Sequence, residues 1–133
     1  MIKLSRKIKL DDTGLRVNLE RDFINYYIWM IRRYYWNCIK INAPKHGAHI
    51  SIITKKLHKE FNKNKLQKYH NKMVDFWYDP AIRMGGSYFT NFWLFVDLPI
   101  GEKIKNELGI VEKGFLGYHI TIGSDKYIIN NKT

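Results

Sequence analysis

The chain opens with an alternation of apolar and polar residues. Apolar side chains occupy positions 2, 4, 8 and 10, with lysine, serine and arginine between them, which is typical of a strand with one buried face. Residues 11–14 read Asp-Asp-Thr-Gly, a turn signal, and apolar residues resume at 15–17. The pattern therefore predicts an N-terminal β-hairpin.

A helical pattern follows the hairpin. Apolar and aromatic residues recur every three or four positions between Phe23 and Tyr34, which places them on one face of an α-helix. Asn18 is a suitable N-cap residue for this helix. We expect the helix to end near Asn37.

The rest of the chain predicts mainly strands. We expect them at residues 38–53 (interrupted around Pro44–Gly47), 74–78, 88–98 and 115–123. Residues 55–72 are rich in lysine, asparagine and histidine, which indicates an exposed helix or loop. Pro99 and Gly109 mark the start and the end of a short second helix.

This order of elements indicates the fold class. Strands, helix, strands, helix and strand predict an α+β protein with a mostly antiparallel sheet and two main helices. The 133 residues contain no linker-like stretch, so we expect one domain over residues 1–133. No stretch approaches the ~18 consecutive apolar residues of a membrane span, and residues 1–10 lack the apolar region of a signal peptide. We expect a cytoplasmic protein without a membrane partner.

One six-residue pattern occurs twice. Residues 47–52 read Gly-Ala-His-Ile-Ser-Ile, and residues 117–122 read Gly-Tyr-His-Ile-Thr-Ile. We call them the first and the second hexamer. Each lies on a predicted strand that follows a predicted helix. A single His-x-Ser on a strand is usually a surface or core histidine, but two copies in matching structural positions favour a shared function.

The hexamers predict a site for phosphodiester chemistry. Successive side chains of a strand point to opposite faces, so His49 shares a face with Ser51, and His119 shares one with Thr121. One imidazole can remove a proton from an attacking hydroxyl while the other donates one to the leaving oxygen. The two hydroxyl groups can hold non-bridging phosphate oxygens. We predict His49 and His119 as catalytic residues, without assigning acid and base, and Ser51 and Thr121 as phosphate-binding residues.

The hexamers resemble the motifs of the two-histidine (2H) phosphoesterase superfamily. That superfamily is defined by a pair of His-x-Thr/Ser motifs on the central strands of a duplicated α+β fold, and His49-Ile50-Ser51 and His119-Ile120-Thr121 fit them. Ser51 replaces the commoner threonine but keeps the hydroxyl. The resemblance implies a central groove and metal-independent, cofactor-free cleavage or transfer at phosphodiesters, often at 2′,3′-cyclic ends or 2′–5′ bonds.

Within the superfamily, the short chain and the spacing of the motifs look most like the phage anti-CBASS cyclic-oligonucleotide phosphodiesterases. The two histidines are 70 positions apart. This resemblance implies hydrolysis of the host's cyclic di- and trinucleotide immune signals, in the host cytoplasm. An enzyme acting on RNA 2′,3′-cyclic phosphates or 2′–5′ bonds is the alternative within the superfamily.

Charge and aromatic content agree with a nucleotide substrate. The chain has 23 Lys and Arg against 12 Asp and Glu, a formal charge of +11, which attracts polyanions. Aromatic residues make up 15% of the chain, more than a core of this size needs, so some rings should be free to meet bases. We select Trp77 as a base-stacking residue, although a core tryptophan is an equally good interpretation. The same features fit a non-enzymatic, basic nucleic-acid-binding protein, an alternative of another class.

The sequence offers no convincing metal site. His46 and His49 would point to opposite faces if both lay on a strand, which argues against a shared zinc ion. Cys38 is the one cysteine, and we expect it to be buried, as free cysteines usually are. We therefore predict no metal and no cofactor. Base preference and oligomeric state stay open, and nothing indicates a stable protein partner.

Overall fold

The structure is a computed structural model, and it describes residues 1–58, 61–110 and 117–126. Within these ranges the strands are β1 (Ile2–Asp11), β2 (Gly14–Asn18), β3 (His49–Thr54), β4 (Met73–Tyr78), β5 (Arg83–Gly85), β6 (Asn91–Asp97) and β7 (His119–Ser124). The helices are α1 (Arg21–Tyr34), α2 (Lys63–Leu66) and α3 (Pro99–Glu107), with a 3₁₀ turn at Gln67–Tyr69. The expected α+β class is confirmed; α1 and α3 are the main helices, and α2 has only four residues.

The strands form one antiparallel sheet that is nearly closed. One path of paired strands runs β3-β2-β1-β4-β6-β7, and β5 also pairs with β6. Every strand pairing in the described residues is antiparallel. The two ends of the path, β3 and β7, approach within 8 Å between Cα atoms. The sheet thus brings together two strands that are far apart in the sequence.

A backbone contact spans the gap beside these two ends. The Asn42 N–H donates to the Ser124 carbonyl at 2.8 Å, and the Ser124 N–H donates to the Asn42 carbonyl at 3.0 Å. Gly123 allows this close approach, because a Cβ there would lie 2.4 Å from the Asn42 carbonyl oxygen. The connection that leads into β3 is therefore tied to the end of β7.

The hydrophobic core lies on the face of the sheet that the helices cover. Its largest fully buried side chains are Phe76, Ile8, Leu15, Ile50, Ile52, Ile53, Leu66, Leu94, Leu98, Ile104, Ile120 and Ile122. Helix α1 packs onto this face, where the rings of Phe23 and Tyr78 lie 5.2 Å apart edge to face. Because this face is used mainly for packing, most polar side chains of the strands lie on the other face.

Several predicted boundaries were wrong around α1. The helix starts after Glu20 rather than after Asn18, which is still part of β2. After the helix, Trp36 and Asn37 adopt left-handed backbone conformations with φ of 56° and 60°, which redirect the chain. Cys38 is consequently exposed rather than buried.

The predicted strand over residues 38–53 is reduced to β3 and the isolated bridge at Asn42. Strand β5 was not among the predicted strands. Of the predicted strand over 115–123, residues 115 and 116 lie outside the described part of the chain. Among the described residues, no helix combines the length and the apolar character that crossing a bilayer requires.

Candidate functional site

The strand register places both hexamers on one face of the sheet. Directly paired residues of antiparallel strands project from the same face, and His49 pairs with Asn18 whereas His119 pairs with Phe95. Alternation along the strands and pairing through β1 and β4 carry this face without a break from β2 to β6. We call this surface the polar face.

The two histidines are anchored in the same way. His49 Nδ1 lies 3.0 Å from the Gly47 carbonyl oxygen, and His119 Nδ1 lies 3.0 Å from that of Gly117. A carbonyl oxygen only accepts, so Nδ1 carries the proton and Nε2 is the nitrogen left for chemistry. Both glycines have a left-handed backbone, with φ of 78° and 64°, which is what aims each carbonyl at its ring and what glycine tolerates best.

The pairing around the two hexamers is also the same. In each, the hydroxyl residue is paired with the neighbouring strand, the next residue is skipped and the one after it is paired again; Ile52 and Ile122 are the skipped residues. The Leu19 N–H donates to the Ala48 carbonyl at 2.9 Å, and the Val96 N–H donates to the Tyr118 carbonyl at 3.1 Å. In both cases the acceptor is the residue before the histidine, and the donor follows the residues of the neighbouring strand that pair with the hexamer. The two hexamers therefore share their local backbone structure in detail.

Burial follows the predicted alternation. Ser51 is exposed and His49, His119 and Thr121 are partly exposed, while the isoleucines of both hexamers are buried. Tyr118 points to the core, and burial together with the nearby Glu102 carboxylate raises the pKa of its hydroxyl. The alternation predicted for both hexamers is confirmed.

The hexamers open into different depressions. His49 and Ser51 line one of about 330 Å³, together with Arg16. Thr121 lines another of about 230 Å³ beside Lys45. The fold thus brings β3 and β7 close together, while Ser51 and Thr121 line separate depressions and His119 lines neither of the two.

Neighbouring strands supply side chains that the sequence alone did not indicate. Arg16 on β2 is paired directly with Ser51, and Trp93 on β6 is paired directly with Thr121. The first hexamer therefore has a cationic neighbour, whereas the second has an aromatic one. In the sequence, Arg16 is two residues from Asn18, and Trp93 is two residues from Phe95. This spacing indicates only that each pair shares a strand face, and it links them to the hexamers once the register is known.

Two aromatic rings on β6, those of Trp93 and Phe95, pack against neighbouring residues on the polar face. The Arg83 guanidinium carbon lies 4.9 Å from the centre of the Phe95 ring, a cation–π distance. The Trp93 ring packs over Gly85, where an added Cβ would lie 3.2 Å from the ring edge. Both rings are partly exposed, so this part of the face can contact a flat ligand.

Trp77 lies on the polar face as well, near the end of β4. It pairs with Asp97 on one side and Lys3 on the other, and the Lys3 ammonium lies 5.8 Å from its ring centre. The side chain is partly exposed. Two strand steps separate it from His119, so it shares the face with the hexamers without being paired to either.

The relation between His46 and His49 differs from the expectation. His46 lies in the turn before β3, not on a strand, and it lines the same depression as His49. Within the described ranges, no group of three or more His, Cys, Asp and Glu side chains is placed to share a metal ion.

Arg16 is held in place by Asp11. One guanidinium nitrogen of Arg16 lies 2.5 Å from the Asp11 carboxylate, and its Nε donates to Asn18 Oδ1 at 3.1 Å. A hydrogen bond from the Thr13 hydroxyl, the Thr13 N–H and Arg16 lower the pKa of Asp11 to about 2. The carboxylate thus stays charged and orients Arg16 beside Ser51.

Comparison of this chain with protein-family models, curated proteins and solved structures finds no match. The interpretation of the site therefore depends on the geometry described above.

Proposed function

We propose that this protein is a phosphodiesterase in which His49 and His119 act as an acid–base pair. The observation that carries the proposal is the identical anchoring of the two imidazoles, each bound through Nδ1 to the carbonyl of the glycine two residues earlier. Identical anchoring presents Nε2 of both rings from one sheet face. A neutral Nε2 accepts a proton and a protonated Nε2 donates one, so the pair can serve both ends of a displacement at phosphorus.

The reaction would proceed by in-line displacement. One histidine takes the proton of the attacking hydroxyl, either the neighbouring ribose 2′-hydroxyl or water, as its oxygen bonds to phosphorus. The bond from phosphorus to the leaving oxygen breaks, and the other histidine gives that oxygen a proton. Ser51 and Thr121 donate hydrogen bonds to the non-bridging oxygens, where negative charge increases. The two imidazoles and two hydroxyls suffice for these steps without a metal ion.

We further propose that the chain is a duplicated 2H-type fold with a central groove between its halves. Both halves contain a strand–helix–strand unit whose strands pair antiparallel, β2-α1-β3 and β6-α3-β7. The shared register, the skipped isoleucines and the left-handed glycines support this interpretation, because such details coincide rarely in unrelated segments.

The proposed substrate is a small cyclic oligonucleotide of the kind used as a host immune signal. The +11 charge favours an anionic substrate. Trp77, on the polar face, would stack a base. RNA 2′,3′-cyclic phosphates or 2′–5′ bonds as substrates, and a non-enzymatic nucleic-acid-binding role, are the competing outcomes of the experiment.

The test is chromatography of cyclic GMP–AMP, cyclic triadenylate and RNA with 2′,3′-cyclic ends after incubation with the protein in EDTA. We expect linear products from the wild type. His49→Ala and His119→Ala should each lower turnover roughly 10²–10⁴-fold, and the double variant should be little worse than the worse single variant.

Controls separate catalysis from folding. Both histidines are partly exposed, so the alanine variants should keep the wild-type circular dichroism and melting temperature, as should Gln67→Ala, an exposed residue of the 3₁₀ turn that should also keep full activity. Near-normal turnover by either single histidine variant would refute the pair. Opening of RNA cyclic ends alone would refute the cyclic-oligonucleotide substrate, and retention of nucleic acid without any turnover would favour the binding protein.

A further inference from the structure

A second pocket adjoins the first hexamer. It has a volume of about 500 Å³ and lies where the end of β2, the start of α1 and the turn before β3 meet. Its polar lining consists of Arg16, Asn18, Arg21, Asn25, Lys45 and His46. We call it the cationic pocket. Buried apolar residues, including Leu19 and Ile24, form part of its wall.

The pocket has a one-sided charge. Three of its lining side chains are Lys or Arg and a fourth is an imidazole, and none of its described lining residues is Asp or Glu. Among the described residues, no salt bridge involves Arg21 or Lys45. Their charges are therefore available to an anionic ligand, and a concave cationic site concentrates the field that such a ligand meets.

The cationic pocket is continuous with the catalytic histidine's surroundings. Arg16 and His46 line both this pocket and the depression that holds His49 and Ser51. Asn18, in the pocket lining, is paired directly with His49 across β2 and β3, and neighbouring strands lie about 4.8 Å apart. An anion in the pocket would thus sit roughly one strand spacing from the first hexamer.

The second hexamer has a different environment. The register positions that carry Arg16 and Asn18 beside the first hexamer carry Trp93 and Phe95 beside the second. The residues paired directly with the first hexamer are therefore a cation and an amide, whereas those paired with the second are aromatic. A substrate that matches this arrangement carries a phosphate near the first hexamer in addition to the phosphate being cleaved.

We propose that the cationic pocket binds phosphate and, in an oligonucleotide substrate, holds the phosphate that is not cleaved. The second statement rests on the proposed function. It implies that substrates with two or more phosphates are preferred over nucleotides with one, because only the former fill the catalytic site and the pocket together. Arg21 and Lys45 would supply charge-assisted hydrogen bonds to this phosphate.

The kinetic test compares Arg21→Gln with the wild type on two substrates. With cyclic GMP–AMP, which has two phosphates, KM should rise roughly 10–100-fold while kcat changes little. With adenosine 2′,3′-cyclic phosphate, which has one, the parameters should be unchanged. Lys103→Gln is the control, since it removes the same charge from an exposed position of α3 and should leave KM within about twofold.

A binding test does not depend on turnover. Inorganic pyrophosphate is titrated calorimetrically into His119→Ala, with and without Arg21→Gln. Loss of pyrophosphate binding in the combined variant supports the pocket, even if the wild type cleaves nothing and the proposed function fails. Unchanged pyrophosphate affinity, or equal losses for the one- and two-phosphate substrates, would overturn the proposal.

Discussion

Replacing Gly123 with alanine would place a methyl group inside the contact that ties the connection before β3 to the end of β7. The added Cβ would lie 2.4 Å from the Asn42 carbonyl oxygen and 2.8 Å from Ile41 Cγ2, whereas ordinary contacts begin at 3.4 Å. The two segments would have to separate by roughly 1 Å. Both backbone hydrogen bonds between Asn42 and Ser124, now 2.8 and 3.0 Å long, would then exceed bonding distance.

The expected cost follows from these two effects. Each lost hydrogen bond costs about 0.5–1.5 kcal/mol, and overpacking costs about 1–3 kcal/mol. The free energy of unfolding of Gly123→Ala should therefore fall by about 2–6 kcal/mol, a large fraction of the ~5–15 kcal/mol typical of a domain. Turnover of cyclic GMP–AMP should also be lower than in the wild type at temperatures at which the variant is still folded, because the displaced connection leads directly to His49.

Urea unfolding followed by circular dichroism measures this cost. Gly85→Ala is the matched control: its Cβ would meet only the edge of the Trp93 ring, at 3.2 Å, so a loss of no more than about 1 kcal/mol is expected. If Gly123→Ala unfolds within about 0.5 kcal/mol of the wild type, the contact does not hold the ends of the sheet, and the reasoning is wrong.

Two further predictions concern the hydroxyl residues and the first turn. Under the proposed mechanism, Ser51→Ala and Thr121→Ala should each lower kcat by roughly 10–100-fold, less than loss of either histidine, because each removes one hydrogen bond to the phosphate oxygens and leaves the proton transfers in place. A kcat equal to that of the wild type in steady-state kinetics would contradict the proposed role of the hydroxyl. The lowered pKa of Asp11, due first to the Thr13 hydroxyl and then to the Thr13 N–H and Arg16, implies stability that is present above the ordinary value of 3.8 and lost as the pH falls toward about 2. Asp11→Asn should therefore lower the free energy of unfolding by no more than about 1 kcal/mol at pH 7, since the carboxylate is partly exposed. The melting temperature of this variant should decline less steeply between pH 4 and 2 than that of the wild type, and an equally steep decline would refute this.

Local patterns predicted the hairpin, α1 and the two hexamers because their structural consequences are local. A residue and its second neighbour on a strand share a face whatever the strand pairs with, so His49 and Ser51 had to project together. The same alternation directs Tyr118 to the core. The expectation that Cys38 is buried came instead from the usual burial of free cysteines. It was wrong because two left-handed residues turn the chain away from the core after α1, a conformation that the residue types alone do not specify.

The pairing partners could not be predicted from local patterns. Arg16 faces Ser51 and Trp93 faces Thr121 because of strand register, which is set by contacts between distant segments. The sequence also did not reveal that His46 and His49 line the same depression, because it did not indicate that the strand begins at His49.

The amino-acid sequence by itself determined which side chains leave each hexamer on the polar side, since backbone alternation depends on nothing beyond the strand. Only the tertiary structure decided that β3 and β7 come together, that Asn42 meets Ser124 beside Gly123, and that Arg16 is paired with one hexamer and Trp93 with the other. These outcomes depend on the packing of a whole sheet, in which each strand's position is set by the apolar face it buries and by the neighbour it pairs with.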